Sequence, residues 1–313
     1  MKSEAKPGVA TLAAFLLAGA SCFSTSAGAT PLLGSGLASF TVLGASTVTN
    51  VPTSVVVGHV GVWSSGGANA ITGFVATPLV AGSDLQLTGG QVHPGTAQAS
   101  LAQFQLTTAI TQLGLLGPGS VLTNPDLAGL TLFPGVYTVQ AGTTNLSGVL
   151  SLNGQGNANA AWVFQMASSL ITSPSSVVSL FNTGPGAGVF WNVRSSATLD
   201  TNTTFLGNIL ALTSISMNAT ATNLCGRALA STGAVTLDQN RLSGDCAQLL
   251  EGSGGLTGGL SGGLEVITTN GVTELAMLPF VAVGGPLAVP EPGILALLGL
   301  GLAGALLSRR HPS

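Results

Sequence analysis

Phe164-Gln165-Met166-Ala167-Ser168-Ser169 returns 27 residues later as Trp191-Asn192-Val193-Arg194-Ser195-Ser196. An aromatic, an amide and a serine pair recur in the same order at the same spacing. Leu210-Ala211 and Leu229-Ala230 repeat at an interval of 19, and so do Thr201 and Thr220. Around them lie short β-branched or alternating runs: Gly148 to Leu152, Ala161 to Gln165, Val177 to Leu180, Val189 to Val193, Phe205 to Ala211 and Ala234 to Leu237. Each is closed by Gly, Asn, Pro or Ser. Strands so short and so regularly punctuated predict a sandwich, barrel or solenoid rather than βαβ units. The recurring interval selects a mostly β solenoid, with coils of about 19 residues and one longer, irregular coil.

One segment departs from this pattern. Gly95 to Leu113 places Ala99, Ala102, Leu106, Ala109, Ile110 and Leu113 at helical spacing. Pro94 stands before it and Gly114 after it, as helix ends prefer. The spacing predicts one long helix that covers an apolar side of the solenoid. Leu115 to Thr131 reads as a loop or cap.

Composition narrows the function. Of 313 residues, 5% are charged and 45% hydrophobic, with a net charge of −3. The lysines are Lys2 and Lys6, and the only arginines away from the C-terminus are Arg194, Arg227 and Arg241. Nucleic-acid binding needs clustered cations to neutralise phosphates, so it is excluded. Intrinsic disorder is excluded by the apolar, uncharged character of the chain. Stacked strands explain the low charge, because neighbouring coils pair the backbone above and below.

The ends read as addresses. Lys2 and Lys6 precede an apolar core from Val9 to Ala20, and Ala27-Gly28-Ala29 is a small-x-small site. Residues 1–29 form a signal peptide on this reading, with Thr30 the mature N-terminus. Cys22 makes a poor lipoprotein site, since Leu is missing three residues before it. At the other end Pro290-Glu291-Pro292 precedes an apolar run from Gly293 to Leu307 and then Arg309-Arg310. That run is short for a membrane span. The arrangement resembles the PEP C-terminal sorting signal of Gram-negative bacteria, with a plain membrane anchor as the other reading. The resemblance implies an exosortase-type processing enzyme as a transient partner, transient anchoring in the inner membrane by the C-terminal helix, and a final place at the cell surface or outside it. Between the ends, residues 30–248 form the solenoid domain. Residues 249–288 are a Gly/Ser-rich linker, flexible from Leu249 to about Gly263, and an extension with a strand pair around Glu265 to Val283. Residues 289–313 are the sorting tail.

Little of the chemistry is catalytic. His59, His93 and Asp84 have no metal-ligand spacing, and His93, just ahead of the helix, reads as a capping or packing residue. Asp200 and Asp238 stand alone among Thr and Asn, where aspartates cap turns. Neither an enzyme nor a cofactor or metal site is expected. Cys225 and Cys246 are an even pair in an exported chain, so a disulfide is expected, with free thiols the other reading. Thr201-Asn202-Thr203-Thr204 and Thr220-Ala221-Thr222-Asn223 lie 19 apart. On strands, Thr201 and Thr203 would share one face, and Thr220 and Thr222 would continue it one coil on. Spacings of about 4.8 Å between strands and about 6.7 Å along them would form a grid of hydroxyls and methyls able to order water.

Further landmarks are Phe40-Thr41-Val42-Leu43-Gly44, Thr47-Val48-Thr49-Asn50, Gly58-His59-Val60-Gly61-Val62, Gly89-Gly90-Gln91-Val92-His93, Trp162-Val163-Phe164-Gln165 and Gly207-Asn208-Ile209-Leu210-Ala211. From Leu33 to Leu237 the chain resembles the bacterial and fungal ice-binding protein family. The resemblance implies a right-handed, three-faced, discontinuous β-solenoid with one long α-helix packed alongside. It implies ice as the partner, bound through Thr-(Ala/Gly)-x-(Thr/Asn) motifs, with Thr72, Thr201, Thr203, Thr204, Thr220, Thr222 and Asn223 as contact residues. Thr220 to Asn223 fits that motif fully. Asn69-Ala70-Ile71-Thr72 departs at its first position, Thr201 to Thr204 at its second, and Gln239-Asn240-Arg241-Leu242 abandons it. The rival expectation is a surface or matrix protein whose partner is exopolysaccharide.

Overall fold

Three short strands per turn of chain, laid down in the same order each time, build the body of the protein. Ala161–Met166, Leu170–Thr172 and Val177–Thr183 make one turn; Gly188–Val193, Ala197–Leu199 and the start of Thr204–Ala211 make the next. Each strand pairs in parallel with its counterpart one turn on. The computed structural model describes residues 28–246 and 258–284, apart from 52, 65, 67, 68, 141 and 270. Over these residues the protein is mostly β with parallel sheets and few helices. The expected signal peptide through residue 27, Cys22, residues 247–257 of the expected linker, Pro290, Glu291, Pro292 and the apolar run behind them lie outside the described residues.

The pairing confirms the repeats that define the coil. Phe164 stands against Trp191 and Gln165 against Asn192; Leu210 stands against Leu229 and Ala211 against Ala230. Aromatics then stack through the interior, Tyr137, Phe164 and Trp191 in register and Phe205 beyond them. Tyr137 and Phe164 rings lie 5.8 Å apart, Phe164 and Trp191 4.1 Å, and Trp191 and Phe205 4.8 Å. Such pairs contribute roughly 0.5–1.5 kcal/mol each beyond area burial. The two buried indoles keep their N–H groups satisfied, Trp162 donating to the Leu132 carbonyl and Trp191 to that of Leu206.

Chain order and stacking order differ. The strand set Thr144–Leu146, Leu170–Thr172, Ala197–Leu199, Ile215–Met217, Val235–Leu237, Thr47–Asn50 and Ala70–Thr72 forms one seven-stranded sheet in that spatial order. The N-terminal turns therefore sit on the C-terminal ones, Val235 pairing with Val48. The chain next runs through the long helix and resumes at the opposite end of the stack, where Ser120–Leu122 pairs with Gly135–Val139.

Two helices lie beside the strands: α1, Gly34–Ala38, and α2, Ala97–Leu115. Helix α2 is shifted by two residues from the predicted span. The Thr96 hydroxyl caps it by accepting from the Ala99 N–H, while Gly95 supplies a left-handed φ of +71° ahead of the cap. All six residues expected on its apolar face are buried. They meet Leu43, Val163, Phe190, Leu210 and Leu229, which project from the strands that follow each closing turn, the helix-side strands. Gln103, not foreseen on that face, is also buried and donates from Nε2 to the Ala230 and Ser231 carbonyls.

The expected extension exists as Leu264–Thr269 paired antiparallel with Val272–Met277. Gly28–Pro31 joins its free edge. The described part of the expected flexible linker is instead packed. Leu260 is fully buried, and a Cβ on Gly259 (φ +65°) would lie 2.2 Å from the Gly244 carbonyl oxygen. Arg227, buried in the body, holds this segment by donating to the Gly259, Gly244 and Ala38 carbonyls and to Asn208 Oδ1. Burial pulls its guanidinium pKa down to about 10, so it stays charged at neutral pH. Among the described residues no helix is long and apolar enough to cross a membrane.

Candidate functional site

The seven-stranded sheet builds its outer surface from single residues. In Ala197–Leu199, Ile215–Met217 and Val235–Leu237 the flanking side chains are buried, which turns Thr198, Ser216 and Thr236 outward. Val48 and Asn50 are buried likewise and leave Thr47 and Thr49 partly exposed. Cα pairing joins these into one row: Thr198 to Ser216, Ser216 to Thr236, Thr236 to Thr49 and Thr49 to Thr72. Adjacent strands set the members about 4.8 Å apart. Toward the other end the row continues through Ile171 and Asn145, so the hydroxyls stop there. None of the row carries a charge.

The expected contact residues fall in four places. Thr72 belongs to the row and is exposed. Thr201 and Thr220 lie in the turns that leave the sheet, where Thr220 adopts a left-handed φ of +61° and its hydroxyl donates to Asn202 Oδ1. Thr204 and Thr222 face outward on the next strands and pair with each other. Thr203 and Asn223 are corrections, because both are buried. Thr203 shares a hydrogen bond with the Thr172 hydroxyl at 2.8 Å, and Asn223 Nδ2 donates to the Gly207 carbonyl at 2.9 Å.

The expected grid fails because Thr201 and Thr220 stand in turns and Thr203 faces the core, and because the register changes by one residue. Phe205 pairs with Asn223 at an interval of 18, but Gly207 pairs with Gly226 at 19. The extra residue lies in the stretch that carries Cys225, and it slips the threonines by one relative to the leucines further on. Thr201 and Thr220 are therefore not partners. The column that holds Thr204 and Thr222 runs on to Arg241 and Val55 on one side and to Val177 and Val149 on the other. A cation and valines interrupt its hydroxyls.

The turn edge beside the row is polar and ordered. Asp200 accepts from the Thr201 N–H at 2.8 Å and from Asn218 Nδ2 at 2.9 Å. The Asn218 contact, then the Thr201 N–H, holds its carboxyl below the usual range. Sequence reasoning missed Thr49, Thr198, Ser216 and Thr236. Their signal is an apolar-hydroxyl-apolar triplet, as in Ile215-Ser216-Met217 and Val235-Thr236-Leu237.

Cys225 and Cys246 form the expected disulfide, with Cα atoms 4.5 Å apart. His59 and His93 meet edge to face, with His93 Nε2 3.3 Å from His59 Nδ1. The Gln91 N–H donates to that same His59 nitrogen, so the hydrogen between the rings belongs to His93 Nε2. The other His93 nitrogen faces the Thr96 hydroxyl at 3.1 Å. Burial, aided by the neighbouring His59, pulls the His93 pKa down to about 4. Asp84 serves elsewhere, accepting from the Val75 and Gln86 N–H groups. Among the described residues no cluster of three or more His, Cys, Asp or Glu could hold a metal.

Comparison with known proteins agrees with this architecture. An ice-binding protein of Nostoc sp. (strain HG1) is 43% identical over 227 residues, which cover 72% of this chain and 79% of that protein. One from Colwellia sp is 31% identical, over 68% of this chain and 83% of the relative. Among solved structures, an ice-binding protein from Antarctomyces psychrotrophicus, an Antarctic ascomycete, superposes with a TM-score of 0.57 at 30% identity, covering 69% of this chain and 98% of that one. Residues 288–310 match the PEP-CTERM protein-sorting motif. Residues 42–243 match the Ice-binding-like family across nearly the whole coiled body, and the chain belongs to that family.

Proposed function

We propose that this chain is an exported, non-enzymatic ice-binding protein that adsorbs to ice through the row Thr198, Ser216, Thr236, Thr49 and Thr72. The row itself carries the reading. Five hydroxyl-bearing side chains stand on adjacent strands of a parallel sheet, in pairing register and without a charge among them. Hydroxyls hold waters by hydrogen bonds, while the threonine methyls leave little room for other water orientations. Water so held can match the growing crystal, and adsorption then arrests growth. Thr201 and Thr220, in the turns at the edge of the sheet, would widen the contact; the interrupted column of Thr204 and Thr222 lies outside it. We read the stack as a right-handed, three-faced, discontinuous β-solenoid. The relatives named as ice-binding proteins support the function.

The division into a leader at 1–29, a body at 30–248, an extension at 249–288 and a tail at 289–313 belongs to the same proposal. Cleavage after Ala29 would leave Thr30 and Pro31 paired with Val266 and Glu265. The sorting motif supports export and exosortase-type processing, with transient inner-membrane anchoring by the tail before the protein reaches the cell surface or medium.

Ice recrystallisation and single-crystal shaping with the folded, disulfide-bonded protein test the function. Faceted or growth-arrested crystals are expected. Unshaped ice from folded protein would overturn the reading.

A further inference from the structure

The C-terminal part of the described chain lies along one edge of the body. The chain visits helix-side strand, seven-stranded sheet and third strand in a fixed cycle, so the turn from each third strand to the next helix-side strand is the vertex opposite the sheet. That vertex is where the extension docks. Gly262 donates its N–H to the Ala187 carbonyl, Ser261 bridges Gly188, and Asn208 Nδ2 donates to the Leu260 carbonyl. After the antiparallel pair the chain returns to the same edge. Asn159 Nδ2 donates to the Pro279 carbonyl, the Val281 N–H to Asn157 Oδ1, the Ala158 N–H to the Val281 carbonyl, and the Val283 N–H to the Gly156 carbonyl.

This fixes where the sorting tail leaves the body. The matched motif begins at residue 288, only four residues beyond Gly284. Four Cα steps reach at most about 15 Å. The start of the motif therefore lies within that reach of the vertex, because 278–283 is tied down along it.

We propose that attachment through the C-terminal tail displays the hydroxyl row away from the surface that holds the protein, leaving it open to ice while the protein is anchored. This rests on the ice-binding reading and its three-sided cross-section. An attached copy would then act as an ice-adhesion module, and many copies on one surface would bind ice with avidity because all point the same way.

The test compares two couplings of the exported full chain, made in a host that lacks exosortase. One set of beads is coupled through the thiol of Ala288→Cys, at the start of the motif, the other through the thiol of Thr236→Cys. The expected result is ice capture by the first set and its loss in the second. Equal capture by both, or no capture by the beads coupled at residue 288 while the free chain shapes ice, would overturn the display geometry alone. A free, folded chain that leaves ice unshaped would overturn the ice-binding reading and this inference with it.

Discussion

Thr236 stands directly beside Thr49, in parallel register, across the joint where the C-terminal turns of the stack meet the N-terminal ones. The hydroxyl row therefore crosses a discontinuity of the chain without a break. Its continuity depends on how the two halves are stacked and cannot be traced along the sequence. Neighbours that hold this joint include Val235 against Val48 and Leu237 against Asn50.

Tyrosine at Thr222 should leave ice shaping intact. Thr222 lies on the column that Arg241, Val55 and Val177 interrupt, so an added ring there blocks no continuous surface. Crystal morphology with Thr222→Tyr checks this, and loss of shaping would move the contact to that column. Stability should change by no more than about 0.5 kcal/mol, as for most exposed substitutions.

Removing the disulfide should weaken the body without dismantling its face. Cys225 and Cys246 are both fully buried and 21 positions apart. The double change to Ala should cost roughly 3 kcal/mol by the loop-entropy estimate. Urea unfolding of the variant, beside the wild type with and without reductant, gives the number.

Arg227→Met should loosen the extension. The guanidinium ties Ala38, Gly244 and Gly259 carbonyls to Asn208, and its loss removes a donor from all four acceptors, the Asn208 and Gly259 oxygens among them buried. A cost on the order of 3 kcal/mol follows from charged hydrogen bonds of this kind. Limited proteolysis should then cut within 258–284 before it cuts the body; an unchanged digest would contradict the clamp.

Acid should destabilise the protein through the histidine pair. The folded-state pKa of His93 lies at about 4, below the ordinary 6.5, so the unfolded chain binds the proton more readily between those values. Stability is full above about 6.5 and falls as the pH drops toward 4. His59 shifts in the same direction, by burial. A thermal melt series over that window should show the decline, and His93→Gln should flatten it.

The helix and the coil repeat were legible because they obey fixed periods. Six residues at helical spacing named the buried face of α2, and Phe164 and Trp191 named a true pair. The hydroxyl row was hidden by strands of three or four residues, too short to show an alternation, and by unequal turns: Thr198 to Ser216 spans 18 residues, Ser216 to Thr236 spans 20. Thr203 misled because Thr201 stands in a turn, so the outward alternation starts at Thr204 rather than Thr203. Asn223 fits a motif by letter, yet its side chain serves the core. His59 and His93 meet only because consecutive turns stack.

Thr236→Tyr, measured beside the wild type in single-crystal ice shaping, tests the central claim most directly. Thr236 is exposed at the middle of the row, between Ser216 and Thr49. The account predicts faceted ice with the wild type and unshaped ice with the variant at unchanged thermal stability. Faceted ice from both, or from neither, would contradict it.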